Sequence, residues 1–352
     1  MTGTQNTPHG PTKSRRTGAS TIVTIDDVAS AAGVSKTTVS HVLSGKRPVS
    51  SKTQKHVEHV MDELGFQPNF FAQALNNNRS HSLALLAQDI TNPYYPALAR
   101  GVQRAVLDSG HVVMLFDADA GPQALQTFIQ DAVQRRVDGI IAAVSDIDDG
   151  IETLLRANIP VIVVGARASQ LELDWVTADD VQIADDVVTR FFSLGHRSIG
   201  IISGPPDAAP GASRLLGYQS SMARHGINIR ESSVVTGDWT REGGFSAMRR
   251  LLELDERPTA VFCANDLMAI GAVDAIRRAG LRIPEDIAVI GVDDIDAASL
   301  VSPSLTTVRI PAEEIGKAAG ELLLHRLTNK ISHDSPPRHI LVQHRMIDRE
   351  SA

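Results

Sequence analysis

Cysteine is almost missing from this chain of 352 residues: Cys263 stands alone, so no internal disulfide can form and no second thiol offers a metal-ligand pair. A lone cysteine suits a reducing cytoplasm, and Cys263 reads as a small buried residue at a strand end rather than a nucleophile. Long apolar runs are missing too. The longest, Ile159 to Ala166, is far too short to span a bilayer. Met1 to Ser20 is rich in Thr, Gly, Pro and Ser with Lys13, Arg15 and Arg16; it lacks the apolar centre of a secretory signal and reads as a disordered basic tail. Among twelve His and many Asp there is no metal-spaced cluster, no G-x-S-x-G elbow and no glycine-rich phosphate loop, so no enzyme, metal or cofactor is expected. Positive charge is not in excess either. A formal charge of −7 argues against a protein that coats nucleic acid along its whole surface.

What is present is an ordinary globular composition, 42% hydrophobic and 21% charged, long enough for two or three domains. The charge is uneven. Residues 1–80 carry nine Lys or Arg against five acids, so the acidic excess lies entirely beyond them. A small basic head on a large acidic body is the pattern expected when only the head meets phosphates.

The stretch from Thr24 to Leu43 predicts two short helices joined by a glycine turn. Thr24 can cap the first, with Asp27 three residues on, and Val28, Ala29 and Ala32 give it a small apolar face. Gly33 supplies a sharp turn, Val34 plugs the corner, and Ser35 caps a second helix whose Val39, Val42 and Leu43 face inward. Lys36, Thr37, Ser40 and His41 then face outward, all potential donors, as a recognition helix in a major groove requires. A solvated helical hairpin is the bland alternative. A third helix starts at Ser50 or Ser51 and stops at Gly65, and Pro68 to Leu75 predicts one more short helix, marginal by itself in water.

From Ser82 onward, apolar runs alternate with amphipathic segments. Strands are expected at 83–87, 112–116, 139–144, 161–164, 199–202, 234–236, 260–264 and 287–291. Helices are expected at 94–109, 122–136, 150–157, 179–193, 213–225, 241–254, 265–279 and 311–327. Continuous apolar strands separated by helices imply parallel sheets covered on both faces, arranged as two lobes in preference to a barrel.

With these elements assembled, the chain resembles the lactose/galactose repressor (LacI/GalR) family of bacterial transcription regulators from Thr24 to about Arg345. Beyond the head, the resemblance rests on Asp89-Ile90-Thr91-Asn92-Pro93-Tyr94-Tyr95, Val137-Asp138-Gly139-Ile140-Ile141, Gly195-His196-Arg197, Arg214-Leu215-Leu216-Gly217-Tyr218, Ala264-Asn265-Asp266, Gly291-Val292-Asp293-Asp294 and Leu305-Thr306-Thr307-Val308. It implies an α/β fold: an N-terminal all-α helix-turn-helix head with a hinge helix, then a two-lobed periplasmic-binding-protein-like body of parallel sheets covered by helices. The implied boundaries are 1–21 for the tail, 22–67 for the head and 68–79 for the hinge helix and linker. One lobe takes 80–177 with 310–337, the other 178–309 with 338–352.

The resemblance further implies a homodimer, with a tetramer left open, that reads two half-sites of a double-stranded palindromic operator in the cytoplasm. Lys36, Thr37 and His41 align with base-reading positions. Ser35, Thr38, Ser40, Ser50, Thr53 and Asn69 align with phosphate contacts, and Ala72 with Leu75 forms the minor-groove wedge that kinks the duplex. Leu75 read blandly is a linker residue packed on the body. Phe70 departs from the family, which often carries Arg there, and Gly165 departs where many relatives hold an effector-contacting Asp.

Such lobes close on a small molecule at the carboxyl ends of their strands. Sugars need groups that donate or accept in pairs and aromatic faces for their C–H surfaces. Arg214, Asn265 and Asp293 supply the first, and Tyr94, Tyr95 and Trp239 the second. Asn265 and Asp266 could instead cap the helix that follows, the favoured reading for Asp266, and Tyr95 could be a core aromatic. A ligand-responsive repressor with a sugar effector is therefore expected. A purine- or nucleoside-responsive corepressed regulator of the same fold and, more remotely, a solute-binding protein without DNA function are the alternatives. The sign of the response is open.

Overall fold

The computed structural model describes residues 23–44, 47–66, 80–120, 123–144, 148–165, 173–206, 208–328 and 335–352, and the chain divides into two compact units, Met1–Asn78 and Arg79–Ala352. In the first unit three helices close a miniature core: α1 (Ile25–Ala32), α2 (Lys36–Ser44) and α3 (Ser51–Leu64). A reciprocal capping box starts α1: Asp27 N–H donates to Thr24 Oγ1, and the Thr24 backbone N–H donates to Asp27 Oδ2 at 2.8 Å. Gly33 ends it at φ 64°, a left-handed conformation that a side chain would strain. Ser35 and Ser50 accept from the N–H groups of Thr38 and Thr53, at 3.1 and 3.2 Å, and so start α2 and α3. Val28, Val39, Val57 and Val60 with Ala29 and Ala32 form the buried centre. The expected hinge helix, with Asn69, Phe70, Ala72 and Leu75, lies outside the described residues.

The second unit contains twelve strands among the described residues, in two six-stranded sheets. The first comprises β1 (Ser82–Ala87), β2 (Val112–Asp117), β3 (Gly139–Ala143), β4 (Val161–Val164), β5 (Asp174–Thr177) and β11 (His339–Leu341), in the order β11-β5-β4-β3-β1-β2. The second comprises β6 (Ile199–Ser203), β7 (Val234–Thr236), β8 (Ala260–Cys263), β9 (Ala288–Asp293), β10 (Thr306–Arg309) and β12 (Arg345–Ile347), in the order β12-β10-β9-β8-β6-β7. Every pairing is parallel except β10 with β12, and Leu83 of β1 lies between Val113 of β2 and Gly139 of β3. Their helices are α4 (Tyr94–Val106), α5 (Ala124–Gln134), α6 (Asp148–Arg156), α7 (Asp180–Ser193), α8 (Ala209–Arg224), α9 (Arg241–Leu252), α10 (Asp266–Arg278), α11 (Asp296–Leu300) and α12 (Ala312–Thr328). Strands β3, β6 and β8 are buried at every residue, as sheets covered on both faces demand. One apolar cluster joins the two sheets, running from Leu83, Leu85 and Ile141 through Phe191 and Tyr218 to Ile201, Phe262 and Ile290.

The chain crosses between lobes three times: from β5 to α7, from β10 to α12, and from β11 to β12. The third crossing lies at 342–344, later than the expected boundary at 338, because His339–Leu341 pairs with Trp175–Thr177 and so belongs to the first sheet. Strands β5, β10, β11 and β12 and helix α11 are additional to the sequence reading, and α8 begins at Ala209 where 213 was expected.

Asp174, at the start of β5, holds the second and third crossings to the first lobe. Arg326 of α12 grips it in a fork, Nε to Oδ2 at 2.6 Å and Nη2 to Oδ1 at 2.7 Å, and the Arg338 N–H donates to Oδ1 at 2.7 Å. Both charges are nearly buried, with side-chain exposures of 12% and 4%. Removing one partner of such a pair strands the other. Asp174→Ala is expected to cost about 3–5 kcal/mol of unfolding free energy in a denaturant titration; a loss below about 1 kcal/mol would place the pair with ordinary surface bridges.

Candidate functional site

Of the head residues singled out in the sequence, Ser35, Lys36 and Thr37 are exposed on or next to α2, with Thr38, Ser40 and His41 half-buried beside them. Ser50 and Thr53 stand together at the start of α3, 2.8 Å apart through their hydroxyls. One side of α2 therefore carries hydroxyl, ammonium and imidazole groups while Val39 fills the core. Lys36 Nζ pairs with Asp26 Oδ2 at 2.9 Å, but both side chains are more than half exposed. So exposed a pair holds little energy, and a phosphate or base acceptor can replace it at small cost.

In the second unit, the carboxyl ends of the strands of both sheets border a cleft of about 400 Å³. Tyr94, Tyr95, Arg214, Trp239, Asn265 and Asp293 all line it. The two tyrosines enter from the first turn of α4, whose start is shaped by Asp89 accepting from Thr91 and by Asn92 Oδ1 accepting from the Tyr94 N–H at 3.0 Å. Their rings meet edge to face at 5.3 Å, and both also pack against the apolar core, so the core reading of Tyr95 and the cleft reading hold together. Loss of hydration pushes both phenols up, so each keeps its proton and can donate.

Arg214 is the centre of the site. It is 5% exposed on α8, donates Nε to Asp180 Oδ1 at 2.8 Å, and donates Nη1 to the Ala264 carbonyl just after β8. Asp180, the first residue of α7, is a cleft residue that the sequence reading missed. The adjacent Asp179–Asp180 pair was the available signal: Asp179 takes the helix cap by accepting from the Gln182 N–H at 3.0 Å, which leaves Asp180 free for another task. Asp293 ends β9 at φ 121°, a conformation that L-residues rarely adopt. Its carboxyl is pushed up to about 7, chiefly by lost hydration and against the pull of Arg214, with Asp180 adding repulsion. Burial also raises the Asp180 carboxyl, opposed by Arg214.

Trp239 is also left-handed, at φ 70°, and lies over Gly204, where any Cβ would collide with its indole ring at 2.1 Å. Its ring centroid is 6.0 Å from the Arg214 guanidinium carbon, within cation–π range. Asn265 does two things at once: Oδ1 caps α10 by accepting from the Met268 N–H at 2.9 Å, and Nδ2 donates to the Trp239 carbonyl at 2.9 Å. The capping role expected for Asp266 is therefore corrected. With Asn265 already at the cap, Asp266 turns into the protein and accepts from Thr307 Oγ1 at 2.6 Å and the Ile295 N–H at 3.0 Å. Gly165, at φ 113° on the cleft wall, has nothing within 4 Å of where a Cβ would stand, so a carboxylate there would enter open space at the cost of backbone strain.

Two outcomes follow from this arrangement. Arg214→Ala leaves Asp180 buried and unpaired, so the expected loss is about 3–5 kcal/mol, with much of it recovered in the double variant carrying Asp180→Asn; additive losses in denaturant unfolding would show that the two side chains are independent. Asp293 holds its proton in the folded chain at pH values where the unfolded chain has released it, so its contribution to stability falls as pH rises from about 4 to about 7. Asp293→Asn should accordingly raise the melting temperature more at pH 8 than at pH 5; an equal change at both pH values would contradict the raised carboxyl.

Comparison with known proteins agrees with both units. Residues 24–69 match the family model for bacterial regulatory proteins of the lacI family, and residues 188–352 match a periplasmic binding protein-like domain. The ribose operon repressor of Escherichia coli (strain K12) is 37% identical over 310 residues, which covers 87% of this chain and 94% of that protein. The HTH-type transcriptional repressor PurR of Klebsiella pneumoniae (strain 342) is 34% identical over 333 residues, covering 94% and 97%. A crystal structure of the lac repressor dimer bound to operator and the anti-inducer ONPF superposes with a TM-score of 0.82 at 28% identity, covering 94% of this chain and 98% of that one. These relatives are repressors, and no helix among the described residues is long and apolar enough to cross a membrane. A capped helix-turn-helix head followed by a two-sheet binding body is the design of ligand-responsive DNA-binding repressors, and the chain belongs to the lacI family of bacterial regulatory proteins.

Proposed function

We propose that this repressor binds a palindromic operator as a cytoplasmic homodimer and that a sugar of the pentose class, held in the interlobe cleft, sets its operator affinity. The observation that carries the effector assignment is Arg214, buried between Asp180 and the carboxyl end of β8 with Asp293 nearby and Tyr94, Tyr95 and Trp239 bordering the same cleft. Adjacent sugar hydroxyls pair with such polar groups while their C–H faces lie on aromatic rings. Similarity to a protein named for the ribose operon favours a pentose within that class. A purine or nucleoside is the second reading, favoured by the same aromatic border, because rings that cover a sugar face also stack a base.

In the head, Lys36, Thr37 and His41 read bases while Ser35, Thr38, Ser40, Ser50 and Thr53 hold phosphates. Asn69, Ala72 and Leu75 act in the hinge as phosphate contact and minor-groove wedge. No residue is assigned a catalytic role. Closure of the cleft changes operator affinity through one two-state element, by about 5–150-fold in systems of this kind.

The test combines a thermal-shift panel of pentoses, hexoses and purine bases with gel-shift titration on a palindromic fragment. Ribose or a near relative should raise the melting temperature by mass action and change operator affinity in the native chain. A response to purines alone would select the second reading, and no shift with any of them would remove the effector assignment.

A further inference from the structure

We propose that His81, His111 and Asp138 form a binding site for a divalent transition metal, with zinc the best match, at the amino ends of β1, β2 and β3. The cleft occupies the opposite, carboxyl edge of the same sheet. Each residue immediately precedes a strand, and because the three strands are neighbours in the sheet, residues far apart in the chain converge. Their candidate ligand atoms all lie within 4.8 Å of one another. That convergence is why sequence spacing shows no metal cluster here.

The His111 ring is 7% exposed and the Asp138 carboxylate 8%, with His111 Nε2 only 3.3 Å from Asp138 Oδ2. His111 Nε2 has no hydrogen bond of good geometry, although it faces the Asp138 carboxylate, which it helps to hold low. The other ring nitrogen explains what Nε2 carries. Ser109 Oγ donates its one proton to the Val106 carbonyl at 2.6 Å, so toward His111 Nδ1, at 2.8 Å, it can act only as an acceptor. Nδ1 is then a protonated nitrogen, and Nε2 is the ring nitrogen left to face the carboxylate oxygen. Two lone pairs facing each other in a buried site call for positive charge between them, supplied by a proton on Nε2 or by a metal ion. A zinc ion about 2.0–2.1 Å from each of two tetrahedral ligands separates them by about 3.3 Å, which the observed spacing matches.

The surrounding groups orient the ligands as outer partners do in metal sites. Asp138 Oδ1 accepts from the Ser80 N–H at 2.9 Å and Oδ2 from the His81 N–H at 3.0 Å, so the carboxylate is fixed in place. His81, held at φ 49°, sets its ring centroid 5.4 Å from that of His111. With the His81 ring turned toward the His111–Asp138 pair, the three side chains make a three-ligand set with one position left for water. Two imidazoles and one carboxylate select zinc and its borderline neighbours over calcium or magnesium, which take oxygen ligands.

Calorimetric titration of the full, untagged, chelator-stripped chain with zinc chloride tests this. One saturable equivalent per chain is expected, and cobalt(II) chloride should develop the visible absorption of a four-coordinate ion. His81→Ala, His111→Gln and the outer-partner variant Ser109→Ala, each checked for fold by circular dichroism, should weaken binding by about tenfold or more. No saturable binding, or unchanged affinity in folded His111→Gln, overturns the site. So does a His111 imidazole that takes up a proton on lowering pH yet gives the same NMR signals with and without zinc, since a proton alone would then be the cation between the two groups.

Discussion

One guanidinium among buried carboxylates governs the second unit. Arg214 bonds Asp180 at the head of α7 and the carbonyl that follows β8, and it faces Asp293 at the end of β9. Asp180 comes three residues after β5, immediately beyond the first crossing between lobes. The charge that organises the cleft is thus tied to a chain segment that joins the two lobes. Asp266, buried behind the cleft, is pushed well up by lost hydration and by repulsion from Asp293, while Arg214 pulls the other way on Asp180 and Asp293. Lost hydration works against full ionisation of all three carboxyls in so dry a place.

The same region concentrates backbone strain. Trp239 and Asp293 both adopt positive φ, and Asp294 beside them does so as well. Asp294 is held by Arg309 and Arg349, each at 2.5 Å, while Asn265 holds the Trp239 carbonyl. Strained residues persist only where their surroundings over-determine them. Here those surroundings are loops anchored on the carboxyl ends of parallel strands.

The head solves a different problem. With four valines and two alanines as its buried centre, it cannot draw much stability from area alone. Local devices make up part of the difference: the Thr24–Asp27 capping box, the Ser35 and Ser50 caps, and the left-handed glycines at 33 and 65. Each acts over three or four residues, and so each was readable from spacing. Lys36 and its neighbours remain on the wet side of α2 because no apolar partner competes for them.

Legibility in the sequence follows the range of the forces involved. Strands such as β3, β6 and β8 and the long helices announced themselves, because burial on both faces requires unbroken apolar runs and a helix on a sheet needs one apolar face. Short strands such as Thr306–Arg309 and His339–Leu341 did not, because pairing with a distant neighbour, rather than their own composition, makes them strands. Six cleft residues were recognisable by chemical type, five of them also by position at or next to element ends, while Arg214 lies within α8. Asp180 escaped because its role depends on Arg214, and the Asp266 cap was misplaced because Asn265 had already filled it. By itself, then, the sequence determined the lobed parallel architecture, the capped head and six of the side chains that line the cleft, since these rest on local pattern. The tertiary structure decided which acid pairs with which base, where the last crossing falls, and that His81, His111 and Asp138 meet, because proximity across a sheet is set by strand order and no local pattern records it.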